Sequence, residues 1–154
     1  MMVKTTKLLV VDTSVIRAAG ETNHPVSSSC RGILDQILKI CHRVVVTDSI
    51  RAEWIRHLSR YSRKWWRSMA AHHKATEKIE LIPVIINETD VTESDLAAIK
   101  KDLHLIEAAL AADKIIITHD LALQKSLGSS KNTVELLNSI TWIDPVTQPI
   151  LKIK

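Results

Sequence analysis

Glycine is scarce in this chain: Gly20, Gly32 and Gly128 are the only three, and they lie far apart. A phosphate-cradling loop of the G-x-x-x-x-G-K-[ST] or G-x-G-x-x-G kind cannot be assembled from them, which excludes a P-loop ATPase and a nicotinamide-binding Rossmann domain. The G-x-S-x-G elbow of serine hydrolases is absent as well. No apolar run approaches the roughly 18 residues that a membrane helix needs. Near the N-terminus Lys4 and Lys7 are followed only by Leu8-Leu9-Val10-Val11 before Asp12, too short for the apolar part of a signal peptide. The expectation is a cytoplasmic protein with no membrane contact. Cys30 and Cys41 are the only cysteines and fit no Cys-x-x-Cys pattern, so they are expected to be buried, reduced thiols.

What is present suits one globular domain over residues 1–154, with a core from about 8 to 145 and a short C-terminal tail. Hydrophobic residues make up 45% of the chain and charged ones 25%, in the ordinary range for a protein with a packed core. Leu8–Val11, Val44–Val46 and Ile115–Ile117 are continuously apolar and mostly β-branched. Such runs suit strands covered on both faces, as in a parallel sheet. Ile140–Ile143 reads as a fourth strand; Ile79–Ile86, interrupted by Pro83, reads as an edge strand or an extended connection.

Helical patterns fill the gaps. Ser27-Ser28-Ser29 is placed to cap a helix carrying Ile33, Leu34, Ile37, Leu38 and Cys41. A helical pair is expected over 49–78. Thr92 with Asp95 resembles a capping box, followed by an apolar stripe at Leu96, Ile99, Leu103, Ile106 and Leu110. Shorter helices are expected after Asp120 and near Val134–Leu137. Alternating strands and helices predict a three-layer α/β/α sandwich around a central parallel sheet.

Acidic residues recur at telling places on this framework. Asp12 ends the first strand, and Asp120 follows Ile117 by three residues. In a parallel α/β sheet the carboxyl ends of the strands line the ligand crevice. Glu53 lies at the start of the helix after the second strand, and Asp102 in the helix leading into the third, beside Leu103 and Ile106. Taken singly, each has a plain reading: Asp12 and Asp120 as helix caps, Glu53 as a solvated helix residue, Asp102 as a surface ion-pair partner of its lysine neighbours. Taken together, the four can converge, and convergence would be costly without a cation. Mg²⁺ or Mn²⁺ suits an all-oxygen set, whereas the seven histidines and two cysteines show no zinc spacing.

These residues carry a resemblance. The strand into Asp12-Thr13-Ser14, Ser-x-x-x-Glu at Ser49–Glu53, the stretch Lys101-Asp102-Leu103-His104-Leu105-Ile106-Glu107-Ala108-Ala109-Leu110, and Ile115-Ile116-Ile117-Thr118-His119-Asp120 look like the successive motifs of PIN-domain proteins. The match in order and spacing covers roughly Leu8 to Pro145. The resemblance implies a parallel sheet flanked by helices, an acidic pocket holding Mg²⁺ or Mn²⁺ through Asp12, Glu53, Asp102 and Asp120, and ribonuclease activity on single-stranded RNA. It further suggests the toxin of a toxin–antitoxin pair, with an antitoxin protein as partner. Ser14 and Thr118 are secondary site candidates, and Glu107 is either an extra acid or a solvated helix residue. A catalytically silent RNA- or protein-binding module is the alternative. Phosphotransfer through Asp12 is disfavoured, because position 14 is Ser and Lys4 and Lys7 stand where a receiver domain would carry acids. His119 is adjacent to Asp120 but should point the other way on an extended segment.

The net charge of +4 is concentrated. Between residues 51 and 74 seven Lys and Arg residues occur with Glu53 as the only acid, interleaved with Trp54, Tyr61, Trp65 and Trp66. Arg56, Arg60, Arg63 and Arg67 recur at four-, three- and four-residue steps, the pattern of one helical face. They are the candidate RNA-binding residues, since arginines neutralise phosphates. The alternative is a solvated face, with Trp65 and Trp66 packed in the core or in a homodimer interface.

Overall fold

The computed structural model describes residues 6–148; Lys4 and the end of the C-terminal tail lie outside them. Five strands form one all-parallel sheet: β1 (Leu8–Val11), β2 (Arg43–Val45), β3 (Ala75–Thr76), β4 (Ile115–Ile117) and β5 (Thr141–Ile143), in the order β3-β2-β1-β4-β5. Seven helices lie among the described residues: α1 (Thr13–Ala18), α2 (Pro25–Lys39), α3 (Asp48–His57), α4 (Arg60–Ala71), α5 (Glu93–Leu110), α6 (Ala122–Gly128) and α7 (Val134–Ser139). The result is the three-layer α/β/α sandwich that the alternating pattern predicts. No helix among the described residues is long and apolar enough to cross a membrane.

The central strands are as apolar as their place demands. Leu9, Val10, Val11, Val44, Val45, Ile116 and Ile117 are all fully buried, because helices cover both faces of the sheet. α1 to α4 pack among themselves, while α5 packs on β1, β4 and α6. The two groups meet where α3 approaches α5. Strand order reverses direction at β1: the chain moves to β2 and β3 on one side and to β4 and β5 on the other. The β1–β4 boundary is therefore the topological switch point, where the crossover helices diverge and a crevice opens at the carboxyl ends of the strands.

Several local expectations are revised. The edge strand is Ala75–Thr76, and Ile79–Ile86, read as an edge strand or a connection, is the connection. Two residues with no apolar alternation leave no pattern to read; they pair because the chain leaving α4 runs alongside β2. The cap of α2 is His24, whose Nδ1 accepts from the Val26 amide, with Pro25 opening the helix. Ser27 is already inside that helix, and its hydroxyl accepts the Gly20 amide at 3.0 Å. Thr92 caps α5, accepting the Asp95 amide, but the box is not closed, since the Asp95 carboxylate accepts the Ser129 hydroxyl instead. Cys30 is buried, but Cys41 is exposed just past the end of α2.

The tryptophans hold the helices to the sheet. Trp54 is fully buried, and its Nε1 donates to the Val11 carbonyl at 3.1 Å. Trp65 is buried and donates to the Leu34 carbonyl at 2.7 Å. Trp66, half-buried, meets Trp54 edge-on at 5.6 Å between ring centres. The Trp54 bond docks α3 onto the last residue of β1, so that Asp12 and Glu53, each one residue away from a bonded partner, are carried to the same place. Trp54→Phe keeps an aromatic ring but leaves the buried Val11 carbonyl without this donor. It should cost about 1–3 kcal/mol, read as a lower urea midpoint with an unchanged m-value.

Candidate functional site

The four carboxylates named from sequence line one open cleft at the β1–β4 switch point, of about 650 Å³ including its mouth. Each arrives on a different element: Asp12 after β1, Glu53 in α3, Asp102 in α5 and Asp120 after β4. β1 and β4 are parallel neighbours, with Val11 registered to Ile117, and the Asp12 amide donates to the Ile117 carbonyl at 2.9 Å. Glu53 is not at the helix start as expected; it is the sixth residue of α3, whose cap is Thr47.

The helix-cap reading of Asp12 fails on geometry. Asp12 occupies the N-cap position of α1, yet its side chain caps no backbone amide. Its Oδ2 instead accepts the Ser14 hydroxyl at 2.7 Å and the Thr118 hydroxyl at 2.9 Å. Those hydroxyls are themselves anchored, Ser14 by the His119 amide at 3.0 Å and Thr118 by the Asp120 amide at 3.1 Å. Ser14 and Thr118 thus orient Asp12 and brace the turn that carries Asp120. Asp120 is exposed, and its Oδ1 accepts the Ala122 amide at 2.9 Å, so it contributes to both the turn and the cleft. Glu53 is gripped on both oxygens: the Thr13 hydroxyl donates to Oε2 and His104 Nε2 lies against Oε1, each at 3.0 Å.

Asp102 differs from the other three. Among the described residues no donor reaches its carboxylate, although it is half-buried. Burial, then the charge of Asp12, then that of Glu53 push its pKa up to about 6, against only minor help from Lys101 and His104. An under-served carboxylate beside three others needs either a proton or a cation. The donor set is carboxylate oxygen on four rigid supports, open to water on one side, which fits a hard divalent ion that retains part of its hydration shell. Asp12, Glu53, Asp102 and Asp120 are the residues that would hold it.

Around this acidic floor the wall is basic. Arg17, Arg56, His57 and Lys101 line the same cleft, and of these only Arg56 was expected. The four-arginine face is split: α3 ends at His57, Ser59 caps α4, and the break at Leu58–Ser59 separates Arg56 from the rest. Arg60, Arg63 and Arg67 share an exposed face of α4 and do not line the cleft. Trp65 belongs to the core, as described above. Glu107 is not among the lining residues. His119 faces Asp144, its Nδ1 at 3.2 Å from that carboxylate. Thr13, Arg17, Lys101 and His104 went unrecognised as site residues. Lys101 sits beside Asp102, but nothing in local spacing marks Thr13, Arg17 or His104, whose partners lie on other elements.

The Asp102 shift has a definite sign. An aspartate titrates near 3.8 when unperturbed and near 6 in this fold. Between those values the folded state holds a proton that the unfolded chain does not. Stability therefore falls as pH rises through that window, and the loss is complete above about 6. Asp102→Asn cannot ionise and avoids the loss. Without divalent ions it should melt higher than wild type at pH 7.5, and the gap should narrow as pH falls from about 6 towards 4. Equal gaps at both ends would show that Asp102 titrates normally.

Comparison with known proteins found no family model that matches this chain, and no characterised protein matches it significantly in sequence. What the cleft can do chemically is read from its own residues.

Proposed function

We propose that the protein is a Mg²⁺- or Mn²⁺-dependent endoribonuclease of the PIN-domain kind, acting on single-stranded RNA, and that it serves as the toxin of a toxin–antitoxin pair. The observation that carries this reading is the cleft itself: four carboxylates from four elements converge there, protein donors serve only three of them, and a basic wall surrounds them. The order of motifs along the chain supports the family assignment.

A divalent ion held by Asp12, Glu53, Asp102 and Asp120 would supply an activated water and a counter-charge for the departing oxygen of a phosphodiester. The protein's own residues do the rest. Asp12, held by Ser14 and Thr118, and Glu53, held by Thr13 and His104, present oxygens in fixed directions. Such pre-organisation removes the reorganisation that flexible acids would need. Arg17, Arg56 and Lys101 at the cleft wall attract the phosphate and offset its charge beside four acids. Among the described residues the hydroxyls of Ser14 and Thr118 donate to Asp12 and that of Thr13 to Glu53, the carboxylates that would hold the cation, and none is paired with a histidine or lysine that would activate it as a covalent nucleophile.

Purified protein should cleave single-stranded RNA with Mn²⁺ or Mg²⁺ and stop in EDTA. Asp12→Asn should lower the rate by at least about a hundredfold, the scale of losing one pre-organised charge-stabilising group, while remaining folded. Mn²⁺ should raise the wild-type thermal midpoint, because it binds the folded state alone, and should raise that of Asp12→Asn less. If neither cleavage nor a midpoint shift depends on metal, the chain is a silent binding module.

The split arginine face yields a separate expectation. Neutralising Arg17, Arg56 and Lys101 with Gln should flatten the dependence of RNA affinity on salt by about 2 in log–log slope, at roughly 0.7 per lost contact on a single strand. The corresponding change at Arg60, Arg63 and Arg67 should flatten it less. The reverse ranking, in a filter-binding titration with the inactive Asp12→Asn background, would place the RNA along α4 instead.

A further inference from the structure

His104 stands against the acidic cleft in a position open to two readings. Its Nε2 lies 3.0 Å from Glu53 Oε1, and one ligating atom from each of Glu53, Asp102 and His104 falls within 4.8 Å of the others. That spacing suits a cation held by two carboxylates and an imidazole. A separation of 3.0 Å between Nε2 and Oε1 also suits a direct hydrogen bond.

The far side of the ring decides between them. Nδ1 of His104 is buried and has no hydrogen-bond partner among the described residues. A neutral imidazole carries one proton. For Nε2 to ligate a metal, that proton must sit on Nδ1, where it would be a buried donor with no acceptor. Metal-binding histidines almost always donate their second N–H to a partner that fixes the ring, and no carboxylate or carbonyl of the described residues accepts from this one. With the proton on Nε2, the ring donates to Glu53 and leaves only a bare acceptor at Nδ1, a milder burden than an orphaned buried donor. The same tautomer avoids opposing the Nε2 lone pair to those of the Glu53 carboxylate. His104 has 19% of its side chain exposed and Glu53 30%, so the contact is partly shielded from water.

We propose that His104 is a positioning residue, not a ligand: it donates Nε2–H to Glu53 Oε1, as Thr13 donates to Oε2, and the cation is held by oxygen alone. This rests on the metal-dependent reading of the cleft. Glu53 is thereby clamped between the β1–α1 junction and α5, which fixes the remaining lone pairs it can offer a cation beside Asp102. The clamp also ties α3 to α5, the place where the two helical groups meet.

The test uses the full chain loaded with Mn²⁺. Pulsed electron paramagnetic resonance of the wild type should show no coupling from a directly coordinated ¹⁴N. Mn²⁺ affinity in His104→Ala should fall by about tenfold or more, the scale for loss of a residue that orients a ligand. His104→Gln, whose amide N–H reaches a similar place, should recover most of that loss. A strong ¹⁴N coupling in the wild type that disappears in His104→Gln would overturn the assignment, and so would an affinity unchanged in His104→Ala. The wild-type spectrum decides the matter even if His104→Ala fails to fold. A wild type that binds no Mn²⁺ at all overturns the metal reading itself, whereas one that binds it through nitrogen overturns only the role given to His104.

Discussion

Four carboxylates drawn into one cleft repel each other, and the rest of the structure can be understood as what it takes to hold them there. Asp12 accepts two hydroxyls, Glu53 is held from two sides, and Asp120 accepts a backbone amide. Asp102 receives nothing comparable, and burial first, then the charges of Asp12 and Glu53, raise its pKa. Rigid support is what prevents the acids from swinging apart into solvent. β1 and β4 are buried central strands, α3 is docked on β1 by the Trp54 indole, and α5 packs directly on both strands. Core packing thus opposes an electrostatic cost of a few charges at one end of the sheet.

The placement follows from topology. In a parallel sheet that winds in both directions, two neighbouring strands send their crossover helices apart, and a crevice opens between them. β1 and β4 are that pair. Asp12 and Asp120 stand at its two lips, while α3 and α5 lean over it from either side carrying Glu53 and Asp102. Basic residues at the wall then provide the attraction for a polyanion that the acidic floor would otherwise repel.

The hydroxyl and imidazole groups around the acids show how much of such a site is support. Ser14 and Thr118 act on Asp12 and, through backbone amides, on the turn to Asp120. Thr13 and His104 act on Glu53. The three hydroxyls carry no charge, yet each, like the imidazole, restricts an acid that does. A mobile carboxylate would lower its own repulsion by moving away; a hydrogen-bonded one cannot.

The strands β1, β2, β4 and β5 and the helix α5 could be read from the sequence because their signals are local: continuous β-branched runs, a threonine cap, an apolar stripe at helical spacing. The acids were legible for a related reason, since each sits at a strand end or on a helix whose register the hydrophobic pattern sets. Other features had no local signal. β3 is strand only because its chain passes an open edge of β2, and α2 begins at Pro25 because a proline favours the first turn while Ser27 is taken by Gly20. Arg56 parts from Arg60, Arg63 and Arg67 because Ser59 caps a new helix, a break that even periodic spacing conceals. The roles of Arg17, Lys101, Thr13 and His104 depend on partners on other elements, such as the 51 residues that separate His104 from Glu53. Hydrophobic period and strand-end position are properties of neighbours in sequence, and the chain alone determined them; which donor meets which carboxylate is a matter of distances across the packed layers, and only the tertiary structure decided it.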